Sequence, residues 1–90
     1  MSIFSQRLIT LRKQKGLSQA AAASALKLAL RSIQNYEYGD AEPRLSILIR
    51  MADFYDVSLD YLAGRTDAPQ GAFPGSAQQM QNRPAGKLGE

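Results

Sequence analysis

Ninety residues carrying eleven Lys and Arg against eight Asp and Glu, with no Cys and no His, suffice for one small core and exclude a disulfide framework, a thiolate zinc site and a cysteine nucleophile. The missing His also removes the commonest general base and metal ligand. The net charge of +3 is unevenly laid out: residues 1–35 hold Arg7, Arg12, Lys13, Lys15, Lys27 and Arg31 without an acid, whereas residues 36–67 set three arginines against seven acids. That polarity predicts one positive face for a polyanion and an acidic face turned away from it.

The first predicted helix runs from Ile3 to Gln14, with Ser2 or Ser5 as its cap. Phe4, Leu8 and Leu11 fall on one stripe, while Gln6, Arg7, Thr10 and Lys13 face out. Gly16 ends it. Ser18 caps a second helix with Gln19 in its first turn, extending to about Leu26. A third covers Leu30 to Tyr36, with Ile33 and Tyr36 turned inward. The loop at 39–43 is broken by Gly39 and Pro43. A fourth helix spans Leu45 to Tyr55 and draws apolar positions from Leu45, Leu48, Ile49, Ala52 and Phe54. Ser58 caps a short fifth, Leu59 to Ala63, stopped by Gly64. These elements make one domain, residues 1–67. Residues 68–90 hold three of the four prolines and four of the seven glycines, with Phe73, Met80 and Leu88 as the large apolar residues. That composition cannot offset its own ordering entropy, so a disordered or extended tail is expected whose deletion leaves the domain's stability unchanged.

Two short helices joined by a tight turn, centred on Leu17 to Tyr36, suggest a helix-turn-helix, a bihelical unit that presents its second helix to the DNA major groove. The text Arg7-Leu8, Leu11-Arg12-Lys13, Lys15-Gly16-Leu17-Ser18-Gln19, Ala23, Leu26, Ile33, Tyr36-Glu37, Gly39, Glu42-Pro43, Leu48, Ala52 and the unbroken run from Val57 to Asp67 resembles the Cro and phage-repressor (Xre) type. The resemblance covers about two-thirds of the chain. It implies an all-α, five-helix, lambda-repressor-like domain of a transcriptional regulator, commonly a repressor acting as a homodimer on double-stranded DNA. It also implies an ion pair between Arg12 and Glu37, a dimer surface around helix 5 at Leu59, Tyr61 and Leu62, and for Arg44 a position from which an arginine reaches the minor groove; a solvated or cap-like Arg44 is the alternative.

The residues themselves suggest roles. Ala23 must be small where helices 2 and 3 cross. Gln19 stands at a helix N-terminus, where unpaired N–H groups and the macrodipole attract a phosphate. On helix 3 the outward set is Leu30, Arg31, Gln34 and Asn35: Arg31 suits guanine or phosphate, Gln34 suits adenine, and Ser32 and Asn35 suit the DNA backbone. Four positions depart from the family pattern. Lys27 stands where glycine is usual in the turn, Ala29 replaces a Ser or Thr cap, Leu30 replaces a polar residue, and Asp40 follows Gly39 where a basic residue is frequent. Lys27 and Ala29 each cost about 1 kcal/mol. They leave a second reading open, in which the scaffold is a protein-interaction module with Leu28 and Leu30 as an exposed apolar patch.

Neither reading is enzymatic. No catalytic residue, metal site, cofactor or small-molecule ligand is evident, and Asp53, Asp56 and Asp60 read as acids dressing exposed helix faces. Nothing reads as a signal peptide or a membrane span, and a cytoplasmic setting is expected.

Overall fold

The computed structural model describes residues 2–70, and within them five helices follow one another: α1 (Ile3–Gln14), α2 (Gln19–Leu26), α3 (Leu30–Tyr38), α4 (Leu45–Tyr55) and α5 (Leu59–Ala63). There are no strands among the described residues. Residues 71–90, with most of the expected tail, lie outside them.

Capping fixes the starts. The hydroxyls of Ser2, Ser18 and Ser58 accept from the amides of Ser5, Ala21 and Tyr61, each satisfying one of the donors that a helix leaves open at its N-terminus. Ser2 is therefore the cap of α1. Ser5 is instead buried, and its Oγ donates to the Tyr36 carbonyl at 2.7 Å, tying α1 to the last turn of α3.

The ends are set by left-handed residues. Gly39 and Gly64 close α3 and α5 in that conformation, but Lys27 (φ 60°) and Asp56 (φ 57°) close α2 and α4 without being glycine. The expected strain at Lys27 is thus present. Asp56 is a correction: it terminates α4 rather than dressing its face, as a short polar side chain that tolerates this region better than most. Helix 3 also runs two residues past the expected Tyr36, because the breaking conformation comes only at Gly39. At Gly64 a glycine is required twice over, since φ is +83° and a Cβ would come within 3.0 Å of Ile3 Cγ2.

One core joins all five helices. Leu8 and Leu11 of α1, Ala23 and Leu26 of α2, Ile33 of α3, Met51, Ala52 and Tyr55 of α4, and Leu62 of α5 are buried together. Ala22 and Ala23 present only methyl groups there, which lets α2 lie close against α3. Burial at about 25 cal/mol per Å² of apolar surface makes this cluster the main source of stability.

Polar ties reinforce it. Arg50 Nη1 donates to the Leu26 carbonyl at 2.7 Å, placing a cation at the negative end of α2. Arg7, expected to face out, instead turns into the α1–α5 junction. Its guanidinium donates to the carbonyls of Tyr61 and Thr66, reaches Asp67 at 2.9 Å and lies over the Tyr61 ring at 4.0 Å. The Ser58 amide donates to the Pro69 carbonyl at 2.8 Å, so backbone pairing continues beyond the expected boundary at residue 67.

Candidate nucleic-acid interface

Three helices, α2, α3 and α4, begin near exposed polar or basic side chains. In any α-helix the first amides have no intrahelical acceptor. At α2 the Ser18 hydroxyl takes the Ala21 amide at 3.0 Å, leaving those of Gln19 and Ala20 for an outside acceptor. Neither Ala29 at α3 nor Arg44 at α4 supplies a side-chain cap. The Ser32 and Ile33 amides both bond the Ala29 carbonyl, at 3.0 and 3.3 Å, so the amides of Leu30 and Arg31 are left in the same condition.

The outward set of α3 divides in two. Leu30 and Arg31 are exposed, whereas Ser32, Gln34 and Asn35 are half-buried. Leu30 is 43% exposed, large enough to offer a methyl contact to a partner. Arg31 and Arg44 form no ion pair and no side-chain hydrogen bond within the described residues, and neither does Lys27 in the turn between α2 and α3. Leu28, by contrast, is half-buried and packed against the core; it does not join Leu30 in an exposed patch, and the interaction-module reading loses half of its proposed surface.

Behind this set lies a polar relay. Arg12 Nε meets Glu37 Oε2 at 2.7 Å and its Nη2 meets Oε1 at 3.1 Å, while Nη1 donates to the Leu17 carbonyl at 2.9 Å. The guanidinium is held above its ordinary pKa by the hydrogen bond to Glu37, against burial, which pulls it down. Glu37 is 3% exposed and the Arg12 side chain 12%. Both hydrogen-bonding arms of this pair are thus satisfied in a nearly dry setting, where removing either partner is costly. Gln19 Nε2 also donates to Glu37 Oε1, at 3.1 Å, and Gln34 Nε2 lies 3.5 Å from Gln19 Oε1. The structure therefore brings Arg12, Glu37, Gln19 and Gln34 together, and leaves Leu30, Arg31 and Arg44 apart from that network.

Tyr55 is buried within electrostatic reach of Glu37 and Arg12. Burial pushes its phenol above the usual tyrosine value, the Glu37 charge adds to this and Arg12 opposes it.

Two features were not anticipated. The inward turn of Gln19 toward Glu37 joins residues far apart in sequence and leaves no local mark. The role of Arg7 was marked: it stands three residues from Phe4 and four from Leu11, on the edge of the buried stripe rather than opposite it. Around helix 5 one expectation is corrected. Leu62 is 0% exposed, so it belongs to the core and cannot line a dimer surface; Tyr61 is half-buried under Arg7, and Leu59 stays exposed.

The family profile described as Helix-turn-helix matches residues 8–62, the stretch that holds the core, the relay and α3. The chain belongs to the helix-turn-helix family. Among its relatives, an uncharacterized HTH-type transcriptional regulator of Bacillus subtilis, YqaE, is 36% identical over 82 residues, 91% of this chain and 70% of that protein. Another from Bacillus subtilis, YobD, is 39% identical over 67 residues, 74% of this chain and 60% of its own length. The cryptic phage CTXphi transcriptional repressor RstR of Vibrio cholerae is 35% identical over 60 residues, 67% of this chain and 54% of that repressor. This helix-turn-helix chain thus spans little more than half the length of some relatives. No solved structure matches it significantly. Among the described residues no helix is long and apolar enough to cross a membrane, and no cluster of acids forms a metal site.

Proposed function

We propose that this helix-turn-helix chain binds double-stranded DNA sequence-specifically as a transcriptional repressor, with α3 in the major groove. The observation that carries the reading is the division on α3 between an exposed, unpartnered Arg31 in the first turn and the half-buried Gln34 and Asn35 one turn on. A cation free of internal partners beside open helix amides is suited to phosphate or guanine, and the amides behind it to base edges or backbone. The relatives support the regulatory role, and RstR, named a transcriptional repressor, supports its sign.

Gln19, Ser32 and Asn35 contact the sugar-phosphate backbone in this reading, Leu30 meets a thymine methyl, and Arg44 enters the adjacent minor groove. A homodimer doubles the contacts of one short helix on half-sites a helical turn apart. Leu59 is the exposed large apolar residue of α5 available to such a dimer. Selection from a randomised duplex pool tests the proposal. A palindromic consensus bound by a dimer in sedimentation is the expected result, and failure to enrich any sequence overturns it.

A further inference from the structure

We infer that Glu37, acting through Gln19, is a positioning residue for base recognition: it fixes which way round the Gln34 amide faces and so selects adenine at one position of the site. The inference rests on the reading of α3 as the groove helix.

Donors and acceptors along the network fix the orientation of each amide. Both oxygens of Glu37 accept from Arg12, and Oε1 also accepts from Gln19 Nε2 at 3.1 Å. A carboxylate facing a guanidinium offers acceptors only, so Gln19 has one workable orientation, with its nitrogen toward Glu37 and its oxygen away. That oxygen lies 3.5 Å from Gln34 Nε2. It therefore draws the nitrogen end of Gln34 toward itself and disfavours the flipped amide, which would set two oxygens against each other. Gln34 keeps one N–H and its carbonyl oxygen for a ligand. In the major groove, a side-by-side donor and acceptor is matched by the N7 and N6 of adenine, whereas guanine presents two acceptors there. The near-complete burial of Glu37 anchors the far end of the relay, so the reading group is ordered before DNA arrives and loses less freedom on binding.

Gln19 thereby acquires a role that a phosphate contact alone does not have. Phosphate contacts carry no sequence information, so their loss weakens all duplexes by one factor. Loss of an orienting contact changes the base profile at one position.

The test is a binding-site selection on the full chain, run beside Gln34→Ala and Gln19→Ala, with affinities for the selected site, its single-base variants and a random duplex. Gln34→Ala marks the position it reads by losing the preference for adenine there. Gln19→Ala is expected to lower that same preference by about tenfold beyond its effect on random duplex, with the other positions unchanged. The double variant should lose nothing further at that position. Glu37→Gln, whose amide can also donate and so permits Gln19 to turn round, should relax the same position if it folds; if it does not, Gln19→Ala decides. A common loss on all duplexes with an intact profile in Gln19→Ala overturns the relay and leaves the groove reading standing. If the unmodified chain selects no sequence, both fall.

Discussion

On α1, Arg7 donates to two backbone carbonyls and a carboxylate and covers an aromatic ring, and Arg12 is held by Glu37 and the Leu17 carbonyl. At the starts of α3 and α4, Arg31 and Arg44 have no such partners among the described residues. The same side chain does two jobs in one small domain. Guanidinium groups with internal acceptors organise the fold, where their worth depends on dryness and geometry. Those without acceptors contribute little to stability, and in the proposed function they are the ones that meet a polyanion. Net charge alone cannot tell the two apart; partner geometry can.

The largest expected effect breaks the inner region. Glu37→Ala leaves Arg12 poorly solvated and unpaired, and should cost about 3 kcal/mol in urea unfolding. Asp53→Ala, at an exposed site on α4, should cost less than about 0.5 kcal/mol. Equal midpoints for the two would remove the distinction between organising and free charges. Arg31→Ala is the converse case. Its unfolding midpoint should match that of the unmodified chain, while its affinity for a selected duplex falls by about 1–3 kcal/mol.

Smaller effects sharpen the same contrast at the turns. Lys27→Gly relieves a left-handed residue and should stabilise the fold by about 1 kcal/mol while slightly weakening duplex binding. Ala29→Ser should add a comparable increment by capping α3. Both are read from denaturant midpoints at unchanged slope. The smallest effect at neutral pH concerns Tyr55. Its phenol titrates above the usual value when folded, so the folded state holds the proton longer than the unfolded chain. Stability from this group is full below the ordinary tyrosine pKa and declines as pH rises above it. Tyr55→Phe should flatten that alkaline loss, and an unchanged slope between the two proteins would show that the phenol is not the responsible group.

Much of this arrangement was legible in the order of residues. Ser18, Ser58, Gly39 and Gly64 mark helix boundaries because capping and left-handed closure are local events, and Leu8, Leu11 and Ile33 declare the core through their spacing. Lys27 and Ala29 announced their own irregularity by standing where a glycine and a hydroxyl cap serve better. What escaped depends on contacts across the fold. The acceptors that Arg7 reaches exist only once α5 is in place, although its position on the edge of the α1 stripe was marked, and the burial of Leu62 follows from how α5 sits on α1 and α4 rather than from its own five residues. The link from Glu37 through Gln19 to Gln34 joins two neighbouring positions of α3 to the first turn of α2, and only packing brings those two helices together. Asp56 is intermediate: an acid before Val57-Ser58 looks like surface, and its left-handed closure of α4 appears only in the backbone.

The most direct measurement is the salt dependence of duplex binding for the unmodified chain, Arg31→Ala, Arg44→Ala and Arg65→Ala. Arg65 is the exposed comparison, paired with Asp60 at 3.3 Å. Affinity of the unmodified chain should fall steeply with salt. The logarithmic slope should shrink by about 1 in Arg44→Ala, and by a similar amount in Arg31→Ala if that side chain grips phosphate; Arg65→Ala should leave it unchanged. Binding that is undetectable or insensitive to salt, or slopes altered equally by Arg65 and Arg44, would contradict the claim that the unpartnered arginines are the ones that meet DNA.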